Sequence, residues 1–496
     1  MTFVACNHDD SVTSEASVNS EVADFSKYVA LGDSFAAGYS DNALFMAGQQ
    51  NAYPNIMAQQ FAAGGGGVFI TPLMSVDNVG GFSSGGVQVP QFPTRLYFNG
   101  SAPVNVAGVS GTAITDRLSG TFNNMGIPGA KSFHLTYSGY ASANPYFGRI
   151  ASSTSATVLQ DAMSQNPTFF SLWIGGNDVL GYATNGGVPT SQDAVNGNDI
   201  TPPATFDFVY NGIVAQLVAG GAKGVVANLS YVSTLPYFTT VRYNPVPLDA
   251  ATANLLNGAS GFATYNAGIQ YALANNLLSP EEAARRTITF HAGTDNAVVM
   301  VDSYLTDLSG YNLPSYRQAT NQDLLVLPSK SIIGTVVGGN PLAINGVSVP
   351  LADNWVLSKE EILEVKNAAD AYNVTIAAAA SVNQLAYVDS KRLMDQLASP
   401  NGYVFGAYTM KATYVTGGAF SLDGVHPSPR GYALIANAFL DATLNMGLLL
   451  KRSIRKIIPF CIQKCFRSSL FVVLKKSFVV KQMTFSFNYI GYLEGE

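Results

Sequence analysis

The sequence predicts an α/β fold in which helices cover both faces of a mainly parallel β-sheet. Short apolar runs of strand length alternate with segments of helix length through the middle of the chain. Several of these apolar runs end in glycine-containing polar turns. Strands separated by helices form βαβ units, and continuous apolar runs suit strands that are buried on both faces.

The predicted elements follow one another from residue 27 to residue 444. Residues 27–31 form a short apolar strand that ends in Gly-Asp-Ser, and residues 169–174 form a buried strand that ends in Gly-Gly-Asn-Asp. Ser358 and Glu361 have the spacing of a capping box, which predicts the start of a long helix. The remaining elements are predicted as helices at 154–164, 206–219 and 429–444, and as strands at 224–229 and 385–389.

Two stretches interrupt this alternation, at about residues 62–122 and 230–350. The first is rich in Gly, Ser and Asn and predicts long loops or irregular β structure. In the second, the dipeptide Asn345-Gly346 predicts a hairpin turn between residues 343–344 and 347–348. We expect both stretches to be insertions in one domain that spans residues 25–447, because the site motifs described below lie on both sides of them.

The body of the chain is acidic and carries few charges. Only 12% of the 496 residues are charged, which is about half of the usual fraction. Residues 451–496 hold nine of the 26 Lys and Arg but only two of the 32 Asp and Glu. The rest of the chain therefore has a net charge of -13. We expect no nucleic-acid partner, because phosphate contacts need a basic face.

The two ends of the chain differ from its middle. Residues 1–24 are predicted as a disordered leader, and Phe-Val-Ala-Cys at its start resembles the end of a truncated bacterial lipoprotein signal. A lipidated Cys6 would anchor an exported protein in the cell envelope; the alternative is a chance cysteine. Residues 448–496 are predicted as a basic tail outside the fold, either a membrane-surface segment or an appended frameshift product. No apolar run reaches the 18 or so residues that span a membrane.

The sequence predicts no metal site and no bound cofactor. Its three cysteines and four histidines are scattered and lack the paired spacing of zinc ligands.

Four short motifs supply the groups that acyl transfer needs. Ser34 follows the first strand, where Gly-Asp-Ser makes a sharp turn and Ser34 can begin the next helix. The loop at residues 123–130 contains Gly126 and Gly129, and a glycine there can point its backbone N–H into a pocket. Asn177 offers a side-chain amide after the strand at 169–174. Asp423 precedes His426 by three residues, so its carboxylate can bind one ring nitrogen and leave the other free.

In this order, the four motifs resemble the conserved blocks of the GDSL/SGNH hydrolases over about residues 25–447. The resemblance implies a three-layer α/β/α sandwich with a doubly wound parallel sheet. It also implies that Ser34 is the nucleophile, His426 the general base and Asp423 the residue that orients the base. The backbone N–H of Gly129 and the side-chain amide of Asn177 would then bind the oxyanion together with the N–H of Ser34.

The sequence departs from the family pattern without touching a reacting group. Phe35 stands where the family usually has Leu, and the spacings between the motifs are long. These departures leave the substrate open. An ester of a lipid or another acyl group, an acetylated glycan, and a non-catalytic binding role on the same fold are the alternatives. The apolar segment 230–248 favours an acyl chain, although its aromatic residues equally suit packing within the insertion.

Overall fold

Five parallel strands form the central sheet of the computed structural model, which describes residues 23–190, 197–406 and 408–445. The strands are β1 (Tyr28–Gly32), β2 (Asn124–Gly126), β3 (Phe169–Trp173), β4 (Lys223–Ala227) and β5 (Ala386–Val388). They are arranged in the order β2-β1-β3-β4-β5. The chain moves outward from β1 in one direction to β2 and in the other direction to β3, β4 and β5. This arrangement is a doubly wound sheet, as predicted.

The strands are held by apolar side chains that face helices on both sides. Every residue of β1 is buried, and so are Val225 and Val226 of β4. The register pairs Leu31 of β1 with Leu172 of β3. The buried hydroxyls of Tyr28 and Ser171 satisfy each other, since they lie 2.7 Å apart. Continuous apolar strands of this kind need helices on both faces.

Helices cover the two faces of the sheet and complete the predicted three-layer sandwich. The helices that pack on the sheet or border the site are α1 (Ser34–Ala37), α2 (Tyr53–Ala63), α3 (Asn177–Thr184), α4 (Pro203–Ala219), α5 (Lys359–Val382), α6 (Ser390–Ala398) and α7 (Pro429–Asn445). Helices α2 and α7 pack together on one face, and α4 and α5 pack together on the other. The other α-helices are Met46–Gln50, Tyr140–Ala143, Pro145–Gly148, Val158–Met163, Pro236–Thr239, Ala250–Asn257, Ala263–Ala274 and Pro280–Arg286.

The predicted elements are present, with shifted ends. The helix expected at 154–164 is shorter because Thr157 caps it, its side chain accepting a hydrogen bond from the N–H of Gln160. Ser358 and Glu361 form the predicted capping box at the start of α5. Strand β2 was not predicted. It is only three residues long and has the sequence Asn-Met-Gly, which reads as a loop.

The predicted hairpin at Asn345-Gly346 is wrong. Residues Val336–Val337 pair with Asn340–Ile344, so the hairpin turns at Gly338 and Gly339. The dipeptide does form a turn, in which the N–H of Val347 donates to Ile344 O. The residues after it curl back instead of pairing, because the N–H of Gly346 donates to Val349 O.

Most of the other short strands are arranged as two-stranded antiparallel pairs. The pairs are Ser83–Ser84 with Val87–Gln88, Leu96–Phe98 with Pro103–Asn105, Val246–Leu248 with Gly293–Asn296, Val299–Val301 with Tyr316–Gln318, Leu324–Leu325 with Val356–Leu357, and Tyr403–Phe405 with Tyr408–Met410. Short 3-10 turns lie at Ser132–Thr136, Val232–Thr234, Ser309–Tyr311, Leu327–Ser331 and Asp353–Trp355.

Residues from about 246 to 356 bury a second group of apolar side chains, separate from the core under the sheet. Arg317 lies beside this group and is itself 1% exposed. Its guanidinium makes two hydrogen bonds to the carboxylate of Asp323, at 2.7 and 2.8 Å, and a third to Asp302. Three charged groups are therefore buried together and satisfy one another.

Several sequence predictions lie outside the described residues. They include Cys6, most of the leader at 1–24 and the tail at 448–496. Among the helices of the described residues, none is long and apolar enough to cross a membrane. The division into one domain with insertions stays a prediction.

Candidate active site

The predicted site residues follow the carboxyl ends of neighbouring strands. Ser34 begins α1 directly after β1, Gly129 lies in the loop after β2, and Asn177 begins α3 after β3. In a doubly wound sheet, the crevice between strands that lead in opposite directions is where ligands bind. Here that crevice lies between β1 and β3, and it receives Asp423 and His426 from the loop before α7.

The turn that carries Ser34 is fixed by its two preceding residues. Gly32 packs so closely on β3 that a Cβ there would lie 2.5 Å from the carbonyl oxygen of Trp173. Glycine is needed at position 32 because of this close approach. The sequence alone indicated only that Gly32 allows a sharp turn. Asp33 caps α1, its Oδ1 accepting a hydrogen bond from the N–H of Phe35 at 2.9 Å. Ser34 is consequently held at the start of the helix.

Ser34, His426 and Asp423 lie in one hydrogen-bonded line. The Oγ of Ser34 is 2.8 Å from Nε2 of His426, and Nδ1 of His426 is 3.0 Å from Oδ2 of Asp423. The other carboxylate oxygen, Oδ1, accepts the backbone N–H groups of Val425 and His426, each at 2.8 Å. The tight turn of Asp-Gly-Val-His thus satisfies the carboxylate while directing its remaining oxygen at the ring.

The ionisation of Asp423 determines which ring nitrogen of His426 carries a proton. Burial raises the pKa of Asp423, but the charge of His426 and the hydrogen bonds to the carboxylate outweigh it, so the pKa lies below its ordinary value. An ionised carboxylate can only accept hydrogen bonds. Nδ1 of His426 therefore donates to Asp423, which leaves Nε2 as the ring nitrogen that faces the hydroxyl of Ser34.

The loop that contains Gly129 is tied down on each side. Asn144 donates from Nδ2 to Pro128 O at 2.9 Å, and Asn177 donates from Nδ2 to Ala130 O at 3.0 Å. Gly129 itself has a φ of 81°, in the left-handed region, while a Cβ at this position would meet nothing closer than 4.0 Å. Glycine is thus required here by its backbone conformation rather than by crowding.

Three N–H donors of this region remain for a ligand. Within the described part of the chain, the backbone N–H groups of Ser34 and Gly129 have no hydrogen-bond acceptor. The Nδ2 of Asn177 carries two protons, and only one of them is used by Ala130. These are the three donors that the sequence predicted.

Two more buried carboxylates support the site. Asp178, which follows Asn177, accepts hydrogen bonds from the N–H and the hydroxyl of Ser132 at 2.8 and 2.7 Å. Burial raises the pKa of Asp178 to about 6, although the hydrogen bonds from Ser132 act in the opposite direction. Burial likewise raises the pKa of Asp33 to about 7, against the effects of the Phe35 N–H and the charge of His426.

An apolar cleft lies next to the residues that flank Ser34, and its walls surround about 840 Å³ of space, part of which is open to solvent. Its walls include the neighbours of Ser34, namely Asp33 and Phe35, and the neighbours of His426, namely Val425 and Pro427. The rest of the lining is contributed mainly by apolar side chains that come from β3, α3, the residues after β4, α6 and α7: Trp173, Leu180, Leu229, Val232, Leu235, Leu393, Met394, Leu397, Leu434 and Ile435.

Residues of the segment 230–248 lie in two different places. The sequence left open whether this segment contacts an acyl chain or packs internally. Ser230, Val232 and Leu235 line the cleft, whereas Val246 belongs to the second apolar group.

Sequence reasoning missed the residues that surround His426. The rings of Tyr39 and Phe35 lie 4.6 and 5.4 Å from the imidazole ring, centre to centre. The N–H of Asn42 donates to Asp423 at 2.9 Å. Asp41-Asn42 carries a turn signal in the sequence, but nothing in it indicates a contact with a residue 381 positions away.

No cluster of three or more His, Cys, Asp or Glu among the described residues is arranged to hold a metal ion.

Residues 241–439 match the family described as GDSL-like Lipase/Acylhydrolase. The chain is an ester-bond hydrolase. The matched part of the hydrolase includes Asp423 and His426. It does not include Ser34 or Asn177, because both precede residue 241. The roles of these two residues therefore depend on the geometry above. No curated protein matches the hydrolase significantly.

Solved structures resemble the hydrolase only distantly. An acetylxylan esterase from Geobacillus stearothermophilus is 10% identical with a TM-score of 0.33, over 87% of this chain and 98% of that one. An extracellular lipase from Streptomyces rimosus is 12% identical with a TM-score of 0.29, over 84% of this chain and 99% of that one. Similarity at this level says nothing about the substrate of the hydrolase.

Proposed function

We propose that the protein is a serine esterase that hydrolyses carboxylic esters through an acyl-enzyme. The observation that carries this proposal is the hydrogen-bonded line from Ser34 Oγ through His426 to Asp423, at 2.8 and 3.0 Å. A hydroxyl next to a base that a carboxylate orients is the arrangement of an activated nucleophile.

In the first half of the reaction, Ser34 Oγ attacks the ester carbonyl carbon and its proton moves to Nε2 of His426. The carbonyl oxygen becomes an oxyanion, which the N–H groups of Ser34, Gly129 and Asn177 bind. The carbon–alkoxide bond then breaks, and His426 returns the proton to the departing alcohol. Asp423 accepts the Nδ1 hydrogen bond throughout, and it stabilises the ring while the ring is protonated.

In the second half, water replaces the alcohol. His426 removes a proton from the water as its oxygen attacks the acyl carbon of the Ser34 ester. The second tetrahedral intermediate uses the same three donors. When it collapses, the proton on His426 returns to Ser34 Oγ, and the carboxylic acid leaves. No cofactor enters either half.

The cleft beside Ser34 supports an ester with an apolar acyl chain as the substrate. Its polar wall is limited to a few groups, whereas side chains such as Leu235, Leu397 and Ile435 make the rest of it apolar. Each methylene group that leaves water for such a site contributes about 0.8 kcal/mol. An acetyl group would leave most of the cleft unused, so we favour acyl chains longer than acetyl.

The direct test is hydrolysis of p-nitrophenyl esters from acetate to palmitate by the purified chain and its Ser34→Ala variant. We expect hydrolysis by the unmodified chain, an optimum above acetate, and no hydrolysis by the variant. An optimum at acetate would favour a deacetylase of glycans over an acyl-chain esterase. A folded chain without activity on any ester would favour a binding protein and would contradict the proposal.

A second variant tests the cleft itself. Ile435→Trp fills part of the cleft and should move the optimum towards shorter chains while hydrolysis of the acetate ester persists. Leu363→Trp, at an exposed position on α5, is the matched control and should leave the optimum where it was.

We also propose that the protein is exported and anchored in the cell envelope through Cys6. The support for this is the sequence Phe-Val-Ala-Cys and the low charge of the body. Expression of the natural gene, with the codons that precede residue 1, in a bacterium with the lipoprotein pathway tests it by fractionation and mass spectrometry. The lipid should be present on Cys6 and lost in Cys6→Ala; an unmodified Cys6 would contradict the anchoring.

A further inference from the structure

A tight turn at residues 40–43 lies against the loop that carries Asp423 and His426. The N–H of Ser40 donates to Ala43 O and the N–H of Ala43 donates to Ser40 O, both at 3.1 Å. Asp41 and Asn42, at the centre of the turn, have φ values of 51° and 63°. Positive φ at both central positions is the definition of a type I′ turn, and Asn and Asp tolerate this conformation better than other non-glycine residues.

The turn binds the loop at three adjacent residues. The N–H of Asn42 donates to Oδ2 of Asp423 at 2.9 Å, and the N–H of Asp41 donates to Oγ of Ser421 at 2.9 Å. In the reverse direction, Oδ1 of Asp41 accepts the N–H of Leu422 at 3.0 Å. The turn follows the helix that begins with Ser34, so it links the nucleophile's segment directly to the base's segment.

The bond from Asn42 fixes the oxygen that orients the base. Oδ2 of Asp423 accepts both the Asn42 N–H and Nδ1 of His426, whereas Oδ1 is occupied by N–H groups of its own loop. Without Asn42, the carboxylate would be held from one side only. The carboxylate of Asp423 could then rotate about its Cβ–Cγ bond, which would move Oδ2 away from Nδ1 of His426.

We propose that Asn42 is a positioning residue, whose left-handed backbone conformation directs its N–H to Asp423 and so keeps His426 aligned with Ser34. This inference rests on the proposed function. The side chain of Asn42 is exposed and makes no hydrogen bond within the described residues. The contribution of Asn42 therefore comes from the conformation of its backbone.

Substitutions that change only the conformational preference test this role. Asn42→Val disfavours a φ of 63°, because β-branched residues rarely adopt the left-handed region, whereas Asn42→Gly adopts it freely. We expect Asn42→Val to lower kcat by about tenfold or more at a nearly unchanged KM, since a hydrogen bond to a charged group is weakened. Asn42→Gly should restore most of this loss. The rate at which a fluorophosphonate labels Ser34 should follow kcat.

Asn276→Val is the matched control. Asn276 is an exposed residue with a φ of 55°, in a loop after the helix Ala263–Ala274, so the substitution introduces the same backbone strain away from the site. It should leave kcat unchanged while lowering stability as much as Asn42→Val does.

The outcomes separate this inference from the proposed function. An unmodified chain that hydrolyses esters, together with an Asn42→Val variant of equal kcat, would overturn the inference alone. So would a glycine variant as impaired as the valine variant, or an equal loss of kcat in Asn276→Val. An unmodified chain that neither hydrolyses esters nor is labelled at Ser34 would overturn the proposed function and the inference with it.

Discussion

Asn177 offers the most informative single substitution, because its Nδ2 holds the Gly129 loop and is also a proposed oxyanion donor. One N–H of Nδ2 holds the Gly129 loop through Ala130 O at 3.0 Å, and the other is available to the oxyanion. Asn177→Ala removes both. The hydrogen bond to the loop contributes about 1 kcal/mol to stability. The oxyanion donor is worth ~3 to 4 kcal/mol, which corresponds to about 10²–10³ in kcat.

We therefore expect Asn177→Ala to lower kcat for a p-nitrophenyl ester by about 10²–10³, with little change in KM and a small loss of stability. The donor acts only when the oxyanion has formed, which is why kcat and not KM should change. Steady-state kinetics over a range of ester concentrations, together with urea unfolding of the same preparations, measures both effects.

Asn144→Ala is the control for the loop. It removes the hydrogen bond to Pro128 O on the other side of Gly129, but it removes no oxyanion donor. Its kcat should fall by less than about tenfold, since the substitution weakens the loop and removes the cap of the helix Pro145–Gly148 but leaves all three donors in place. If Asn177→Ala kept its kcat within about threefold of the unmodified chain, or if Asn144→Ala lost as much, the assignment of Asn177 as an oxyanion donor would be refuted.

Three further predictions concern stability. Gly32→Ala should lower the free energy of unfolding by about 1–3 kcal/mol, because its Cβ would lie 2.5 Å from Trp173 O. Gly212→Ala on α4 has open space around its Cβ and should raise the free energy of unfolding slightly. Equal effects of the two substitutions in urea unfolding would contradict this prediction. Asp33 has a pKa of about 7 in the fold against an ordinary value of 3.8, so the folded chain binds more protons between these values and loses stability as pH rises through them. Asp33→Asn should therefore gain stability relative to the unmodified chain between pH 4 and pH 8, by a few kcal/mol at most, and a pH-independent difference in urea unfolding would count against the raised pKa. Arg317→Ala removes the guanidinium that pairs with the buried carboxylates of Asp323 and Asp302, of which Asp302 keeps Arg285 as a charged partner, and should cost about 3–5 kcal/mol. Lys366→Ala, in an exposed pair with Asp370, should cost under about 1 kcal/mol in the same assay.

The five predicted site residues lie together in the structure, and their catalytic roles stay a prediction. Ser34, Gly129, Asn177, Asp423 and His426 all stand where the motifs placed them, because each motif is a local signal at the end of a strand or before a helix. The order of the strands agrees with the doubly wound sheet that the family resemblance implies.

The parts that could not be predicted depend on contacts between distant residues. Strand β2 forms because Asn124–Gly126 lies beside the fully buried β1, and nothing in Asn-Met-Gly itself favours a strand. The hairpin expected at Asn345-Gly346 forms around Gly338-Gly339 instead, because both dipeptides carry turn signals and only the tertiary context selects between them. The contact of Asn42 with Asp423 joins residues that are 381 positions apart. No local sequence pattern indicates this contact.

Ser34 and His426 lie 392 residues apart in the chain. During synthesis, Ser34 leaves the ribosome directly after β1, whereas His426 follows every strand of the sheet and precedes only α7 among the described elements. A nascent chain that has completed β1 to β4 thus holds the serine without the imidazole that would activate it. By the proposed mechanism, hydrolysis begins only after the last loop has docked against the turn at residues 40–43. Ester cleavage would therefore report, in a translation reaction sampled over time, the moment at which the whole domain has closed.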